Sequence, residues 1–257
     1  MNRLFFFVSF FFIFTVFVFS QDENPKLVYG SYILYASYDT ASYTSTMIVT
    51  KSGREIYKQI DMERVDKIFV EEVDGTEKQL FISTYSGGAH CCFSLYAAKI
   101  KSDKFFYIDT LFLGDSYFEF KDFNKDGVKD IETYNTMFAY AFTNYAQSKH
   151  PIAIFNFIDG KFKFVNEEFE KEVLKDVRAN LEELSEYTSK GFDCPAEEYE
   201  DTFNTDAGAV KALLAAIYAD YHSIVQMEKG MELINKTYKC IDKKKFINIL
   251  KTDYKLK

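Results

Sequence analysis

The chain has 257 residues and a formal net charge of -8, with no basic run long enough to follow a phosphate backbone, which leaves nucleic acid out as a partner. Its 19 tyrosines and 28 phenylalanines, set against three prolines and no tryptophan, favour half-buried pleated surfaces and so a sheet-rich fold. The first residues, Met1-Asn2-Arg3 followed by an apolar stretch from Leu4 to Phe19 and then small Ser20, have the layout of a secretory signal, 1–20, with cleavage expected after Ser20. The other reading is an uncleaved anchor, but about 16 apolar residues fall short of the roughly 20 needed to cross a bilayer, so no stable membrane span is expected after processing. No cysteine stands near Ser20, which closes the lipoprotein route. A secreted or periplasmic location follows, and the remaining chain of about 237 residues is long enough for a β-rich unit with an appendage.

From residue 21 to 165 the chain alternates short β-branched and aromatic runs with turn residues. Strands are expected at Val28–Tyr38, Thr44–Thr50, Ile56–Ile60, Lys67–Val73, Gln79–Tyr85 and Phe93–Ile100. They continue at Phe105–Leu113, Tyr117–Phe120, Asp130–Thr136, Ile152–Ile158 and Phe162–Val165. Ser52-Gly53, Asp74-Gly75, Asp126-Gly127 and Asp159-Gly160 each supply a residue that tolerates positive φ where a hairpin needs one, so the sheet is expected to be an antiparallel meander. Phe69 to Gly75 with Lys78-Gln79-Leu80 echoes Glu119 to Gly127 with Lys129-Asp130-Ile131 at a period of 52 residues, the size of one four-stranded unit of a propeller-like array.

Residues 166–257 change pattern. Asn166 is expected to cap a helix running to about Ser189, with Phe169, Val173, Leu174, Val177, Leu181 and Leu184 on one face and Gly191 as its stop. A second helix starts after Thr205 or Asp206, carries Val210, Leu213, Leu214, Ile217, Tyr218, Tyr221, Ile224 and Val225, and is expected to end at Gly230. Shorter helices follow around Met231–Lys239 and Lys243–Leu250. Strands first and helices after argue for an α+β fold, a β-rich calcium-loop domain at 21–165 followed by a helical C-terminal region.

The densest chemistry lies between Asp122 and Asp130. Asp122, Asn124, Asp126 and Asp130 fall at positions 1, 3, 5 and 9 of a loop whose position 6 is Gly127 and whose position 7 offers the carbonyl of Val128. Hard divalent cations need several oxygen ligands at once, and this alternation points oxygens inward while Lys125 and Lys129 face out, so Ca2+ is the expected cofactor. Position 12 is Thr133 and Glu132 comes one residue early, and the flanks are aromatic and β-branched, so this is not an EF-hand. Asp122-x-Asn124-x-Asp126-Gly127-x-x-Asp130-Ile131 resembles the calcium motif of FG-GAP/VCBS-type repeats, which implies a loop joining two strands of a propeller blade. The resemblance covers about 50 residues, or about 100 with the degenerate copy at Asp74-Gly75, which keeps fewer ligands.

Ser86-Gly87-Gly88-Ala89-His90-Cys91-Cys92 is similar to a motif of uncharacterised exported bacterial proteins, a resemblance that implies export and no activity. In an oxidising compartment the four cysteines are expected to pair, Cys194 with Cys240 because both lie in the helical region. Cys91 and Cys92 then form a vicinal bridge or a buried thiol pair. His90 with the two thiols lacks a fourth metal ligand, and neighbouring residues of a strand point to opposite faces. Tyr134, Tyr140 and Tyr145 around Met137 and Phe138 either line a carbohydrate or peptide groove or form an aromatic core. Together these features predict an exported, calcium-stabilised binding or envelope module without enzymatic activity, its ligand a protein or a carbohydrate. The alternative is a secreted hydrolase with its site near Gly87–Cys92.

Overall fold

The computed structural model describes residues 24–73, 75, 78–88 and 91–257, so the expected signal segment, Asp74 and His90 lie outside the described residues. Within them the fold is α+β: three antiparallel four-stranded sheets in chain order, then four helices. The first sheet has β1 (Lys26–Tyr29), β2 (Tyr32–Asp39), β3 (Thr44–Lys51) and β4 (Arg54–Met62). The second has β5 (Arg64–Glu72), β6 (Lys78–Tyr85), β7 (Phe93–Lys101) and β8 (Lys104–Gly114). The third has β9 (Glu119–Lys121), β10 (Asp130–Tyr134), β11 (Ile152–Ile158) and β12 (Lys161–Phe164). Every neighbour within a sheet is also the next strand in sequence, so each sheet is a meander.

One strand expected at Val28–Tyr38 is in fact a hairpin, β1 and β2, because Gly30 takes φ of 60° and folds Tyr29 back onto Tyr32. The turn holding Gly75 and the loop holding Gly127 both join the first and second strands of their sheets, so the 52-residue echo marks equivalent positions. These two turns also touch: the Lys129 amide donates to Glu72 O at 3.3 Å and Lys129 Nζ reaches Glu71 Oε1 at 2.8 Å.

Period-2 alternation sorts the side chains into layers. In β6, Leu80 and Ile82 enter a core with Leu34, Met47 and Val49 of the first sheet, while Phe81 between them enters a core with Ile131 and Phe157 of the third. Strand β6 is therefore buried on both faces, which explains its consecutive Leu80, Phe81 and Ile82. A further core of Ile152, Ile154, Val173 and Ile224 joins the third sheet to the helices, and the largest cluster lies among the helices themselves.

The helical region departs from expectation at two residues. Asn166 does not cap a helix; it begins a short 3-10 turn (Asn166–Phe169) ahead of α1 (Glu170–Lys190), and its side chain is fully buried. Asn166 Oδ1 accepts from the Ile154 amide at 2.7 Å, and its Nδ2 donates to Ile152 O and Ser223 Oγ, each at 2.9 Å. The side chain is committed to β11 and cannot turn back onto its own helix start.

Helix α1 does end at Gly191, which takes φ of 77°. Thr205 caps α2 (Asp206–Ser223) by accepting from the Gly208 amide at 3.2 Å. Gly230 is not the end of that helix: α2 stops at Ser223, and Gly230 sits inside α3 (Met227–Thr237), where a Cβ would come within 2.7 Å of the Tyr218 ring. The glycine is there for close packing rather than for termination. Helix α4 (Lys243–Thr252) completes the bundle.

Helix α2 is buried almost all round, and its Lys211 is satisfied by Asp242 at 2.8 Å, with Tyr238 also donating to that carboxylate. Cys194 and Cys240 are joined, with Cα atoms 5.2 Å apart, and tie the segment between α1 and α2 to the start of α4. In the chain-entropy account such a link contributes roughly 3 to 4 kcal/mol.

Asn166→Ala leaves the Ile154 amide and Ile152 carbonyl without their side-chain partner, both in a dry environment. It should cost about 3 kcal/mol of stability, read as a lower urea midpoint at unchanged slope. An unchanged midpoint would show that the contacts are replaceable.

Candidate functional site

The loop between β9 and β10 curls because Lys125 and Gly127 adopt φ of 62° and 87°. Its side chains fold onto its own backbone. Asp122 accepts from the amides of Asp126 at 3.1 Å and Gly127 at 3.0 Å; Asn124 Oδ1 accepts from Asp126 at 3.2 Å; Asp126 Oδ1 accepts from Val128 at 2.8 Å. Asn124 Nδ2 also donates to Asp126 Oδ2 at 2.7 Å.

Asp130 differs from these. It is 5% exposed, its Oδ2 has no partner among the described residues, and burial pushes its carboxyl up to about 6. The charges of Asp126, Asp122 and Glu168 add to that rise, against a lowering bond from the Phe123 amide. Among the described residues no three His, Cys, Asp or Glu side chains are gathered as tightly as a bound ion would hold them. The donor set nevertheless fits a hard cation: a buried carboxylate oxygen without a partner feels the charge of two loop carboxylates, and all the groups are oxygens. Glu132 takes no part, being held by Lys121 at 2.6 Å.

Cys91 and Cys92 are bonded to each other, and no free cysteine remains among the described residues. Around them Ser86 closes the loop, its amide donating to Cys92 O at 3.0 Å and its hydroxyl accepting from the Cys92 amide at 2.6 Å. From this loop an aromatic row runs outward: Tyr85 lies 4.7 Å from Phe93, and Phe93 lies 4.9 Å from Tyr117, centroid to centroid.

Tyr117 stands at the rim of a cleft of about 570 Å³ between the third sheet and α1. One wall carries Glu119, Lys121 and Glu132, with Lys121 bridging the two carboxylates at 2.9 and 2.6 Å. The other carries Asp176 and Asn180, one helical turn apart on α1, with Asn180 Nδ2 donating to Asp176 Oδ2 at 2.9 Å. His150 closes one end, its pKa lowered by burial and its Nδ1 without a partner among the described residues. Of the tyrosines singled out in sequence, Tyr134 lines this cleft, while Tyr140 packs against Tyr145 at 5.4 Å between ring centroids and the Tyr145 hydroxyl donates to Asp115.

Behind Asp176 lies Asp220 of α2, fully buried, its Oδ1 accepting from the Ile152 amide at 3.1 Å. Its Oδ2 has no donor among the described residues, and Asp176 is the group facing it. Burial, then the charge of Asp176, raises Asp220 well above the usual carboxylate range, and burial also raises Asp176. A proton between the two carboxyls would satisfy that second oxygen, in keeping with the direction of both shifts.

Sequence reasoning missed this pair, because Asp176 and Asp220 lie 44 positions apart on helices whose contact no spacing reveals. The one signal was Asp220, an acid inside the mostly apolar α2. Comparison with family models, curated proteins and solved structures finds no match to this chain.

Because Asp220 and Asp176 hold protons in the folded chain above the ordinary range near 4, the folded state binds more protons than the unfolded one once the pH passes about 4. Their contribution to stability is full below that pH and is lost as the pH rises through their folded values. Asp220→Asn keeps an acceptor for Ile152 and offers Asp176 a donor, so it should flatten the fall. Melting curves across the acid-to-neutral range check this; equal slopes in wild type and variant would refute the shared proton.

Proposed function

We propose that this chain is an exported, secreted or periplasmic binding module without enzymatic activity, stabilised by calcium at the FG-GAP/VCBS-like loop and recognising a protein or carbohydrate ligand at the cleft beside α1. The observation that carries it is the unpartnered, buried Oδ2 of Asp130 beside the charges of Asp122 and Asp126. A buried carboxylate kept without a partner is expensive unless something positive satisfies it. Asp122, Asn124, Asp126 and Asp130 would hold the ion with the Val128 carbonyl, and the ion would supply the positive charge that the buried Asp130 carboxylate lacks.

The paired cysteines suit an oxidising compartment, and among the described residues no helix is long and apolar enough to cross a membrane. The alternative, a hydrolase near Gly87–Cys92, is disfavoured by the same pairing, since a thiol bonded to its neighbour is not a nucleophile.

Calcium at about a hundred times its dissociation constant should stabilise the wild type by about 2.7 kcal/mol, reversed by chelator. Asp130→Asn removes the buried charge, so it should melt higher than wild type without metal and lose the calcium response. A wild-type melting temperature that ignores millimolar calcium would sink the proposal.

A further inference from the structure

The cleft beside α1 has a chemistry that narrows its ligand. Its fixed charges are largely committed within the protein: Lys121 is shared by Glu119 and Glu132, Lys149 reaches Glu183 at 2.7 Å, and Asp115 accepts from the Tyr145 hydroxyl. A phosphate or other anion would enter against a lining in which Asp115, Glu119, Glu132 and Asp176 outnumber Lys121 and Lys149. A polyamine would have to displace Lys121 from two short contacts. The remaining groups offer hydrogen bonds without a committed charge partner: the Asn180 amide and the imidazole of His150 with its unpartnered Nδ1 both give and take them, and the Asp176 carboxyl, which already accepts from Asn180, accepts them.

At the rim, Tyr117 is 77% exposed, and its ring packs against Phe93 at 4.9 Å with the two planes 44° apart, Phe93 being itself stacked on Tyr85. A ring packed against a neighbour and otherwise exposed offers a flat apolar surface at little entropic cost. Platform and dual hydrogen-bonding groups face the same cavity, whose volume of about 570 Å³ is in the ordinary range for small-ligand sites.

We infer that the cleft is a saccharide-binding site, in which an uncharged sugar ring stacks its C–H face on Tyr117 while its hydroxyls bond to Asn180, His150 and Asp176. A sugar hydroxyl donates and accepts at once, which matches groups that do the same, and the C–H face of a pyranose matches the flat ring. This inference names the ligand class of the binding module proposed above and rests on that reading. Asp220 does not touch the sugar; it positions Asp176 from behind.

The test is calorimetric titration of the whole secreted protein, in calcium, with triacetylchitotriose, cellotriose and maltotriose, and with spermine as a cationic probe. At least one of the sugars should bind, and Tyr117→Ala and Asn180→Ala should each weaken it about tenfold, the size expected for one lost stacking or polar contact. Tyr43→Ala, at an equally exposed tyrosine away from the cleft, should bind like wild type. Melting temperatures of all variants should match wild type, which separates lost contact from lost fold.

Binding of spermine alone, binding of no sugar, or sugar binding indifferent to Tyr117→Ala would overturn the inference. If no sugar binds while calcium still raises the melting temperature, the saccharide assignment falls and the calcium-held scaffold stands. If a sugar binds and calcium leaves the melting temperature unchanged, the saccharide site stands and the calcium-held scaffold falls.

Discussion

The structure turns on how β11 finds partners along its second edge. Strand β12 ends at Phe164, pairing with Phe155, so the backbone of Ile152 to Ile154 would face the helices with unpaired polar groups. Such groups cannot be left dry at a cost of a few kcal/mol. The chain supplies substitutes one by one: the Val165 amide to Ile154 O, Asn166 Oδ1 to the Ile154 amide, Asn166 Nδ2 to Ile152 O, and Asp220 Oδ1 to the Ile152 amide. This polar seam holds the sheets to the helical bundle, with the apolar cluster of Ile152, Ile154, Val173 and Ile224 packed around it.

The seam has a chemical consequence. A carboxylate was placed in the core to accept one backbone bond, and its second oxygen was left without a donor among the described residues. Hydrogen bonding to Ile152 favours the charged form, yet burial and the charge of Asp176 outweigh it and favour the protonated form. Asp176 in turn faces the cleft, so the solution to a structural problem at β11 tunes a group at the surface. Elsewhere the chain satisfies a buried charge differently: Lys211 and Asp242 lie 2.8 Å apart with Tyr238 donating as well, an ion pair supported by a hydrogen bond.

What could be read from the sequence was what depends on local pattern. Alternation and turn residues located nearly every strand, because the period-2 signal and the Gly turns act within a few residues. The 52-residue echo correctly matched the first turns of two successive sheets. The missed turn at Gly30 was a local signal passed over, whereas the failures in the helical region have one cause, tertiary demand overriding a local preference. Asn166 has the chemistry of a cap but answers to β11, and Gly230 has the look of a helix stop but gives room to Tyr218. Asp176, Asp220 and the cleft were illegible, since they arise only when α1, α2 and the third sheet are brought together.

Strand β9 is the shortest in its sheet, with only Glu119, Phe120 and Lys121 paired to β10. A three-residue edge strand contributes too little pairing to hold its own register firmly. Its turn end is the Asp122–Asp130 loop, and its other end is the Asp115–Phe118 segment that borders the cleft; Glu119 and Lys121 lie in that cleft's wall. On the proposed reading, an ion at the loop would therefore do more than stabilise a turn. By fixing Asp122 and Asp130 to one another it would fix β9 against β10, and with them the Glu119–Lys121–Glu132 bridge that shapes the cleft. Two sites that bias one short strand are thermodynamically coupled, and the coupling is reciprocal: whatever calcium adds to ligand affinity, ligand must add to calcium affinity.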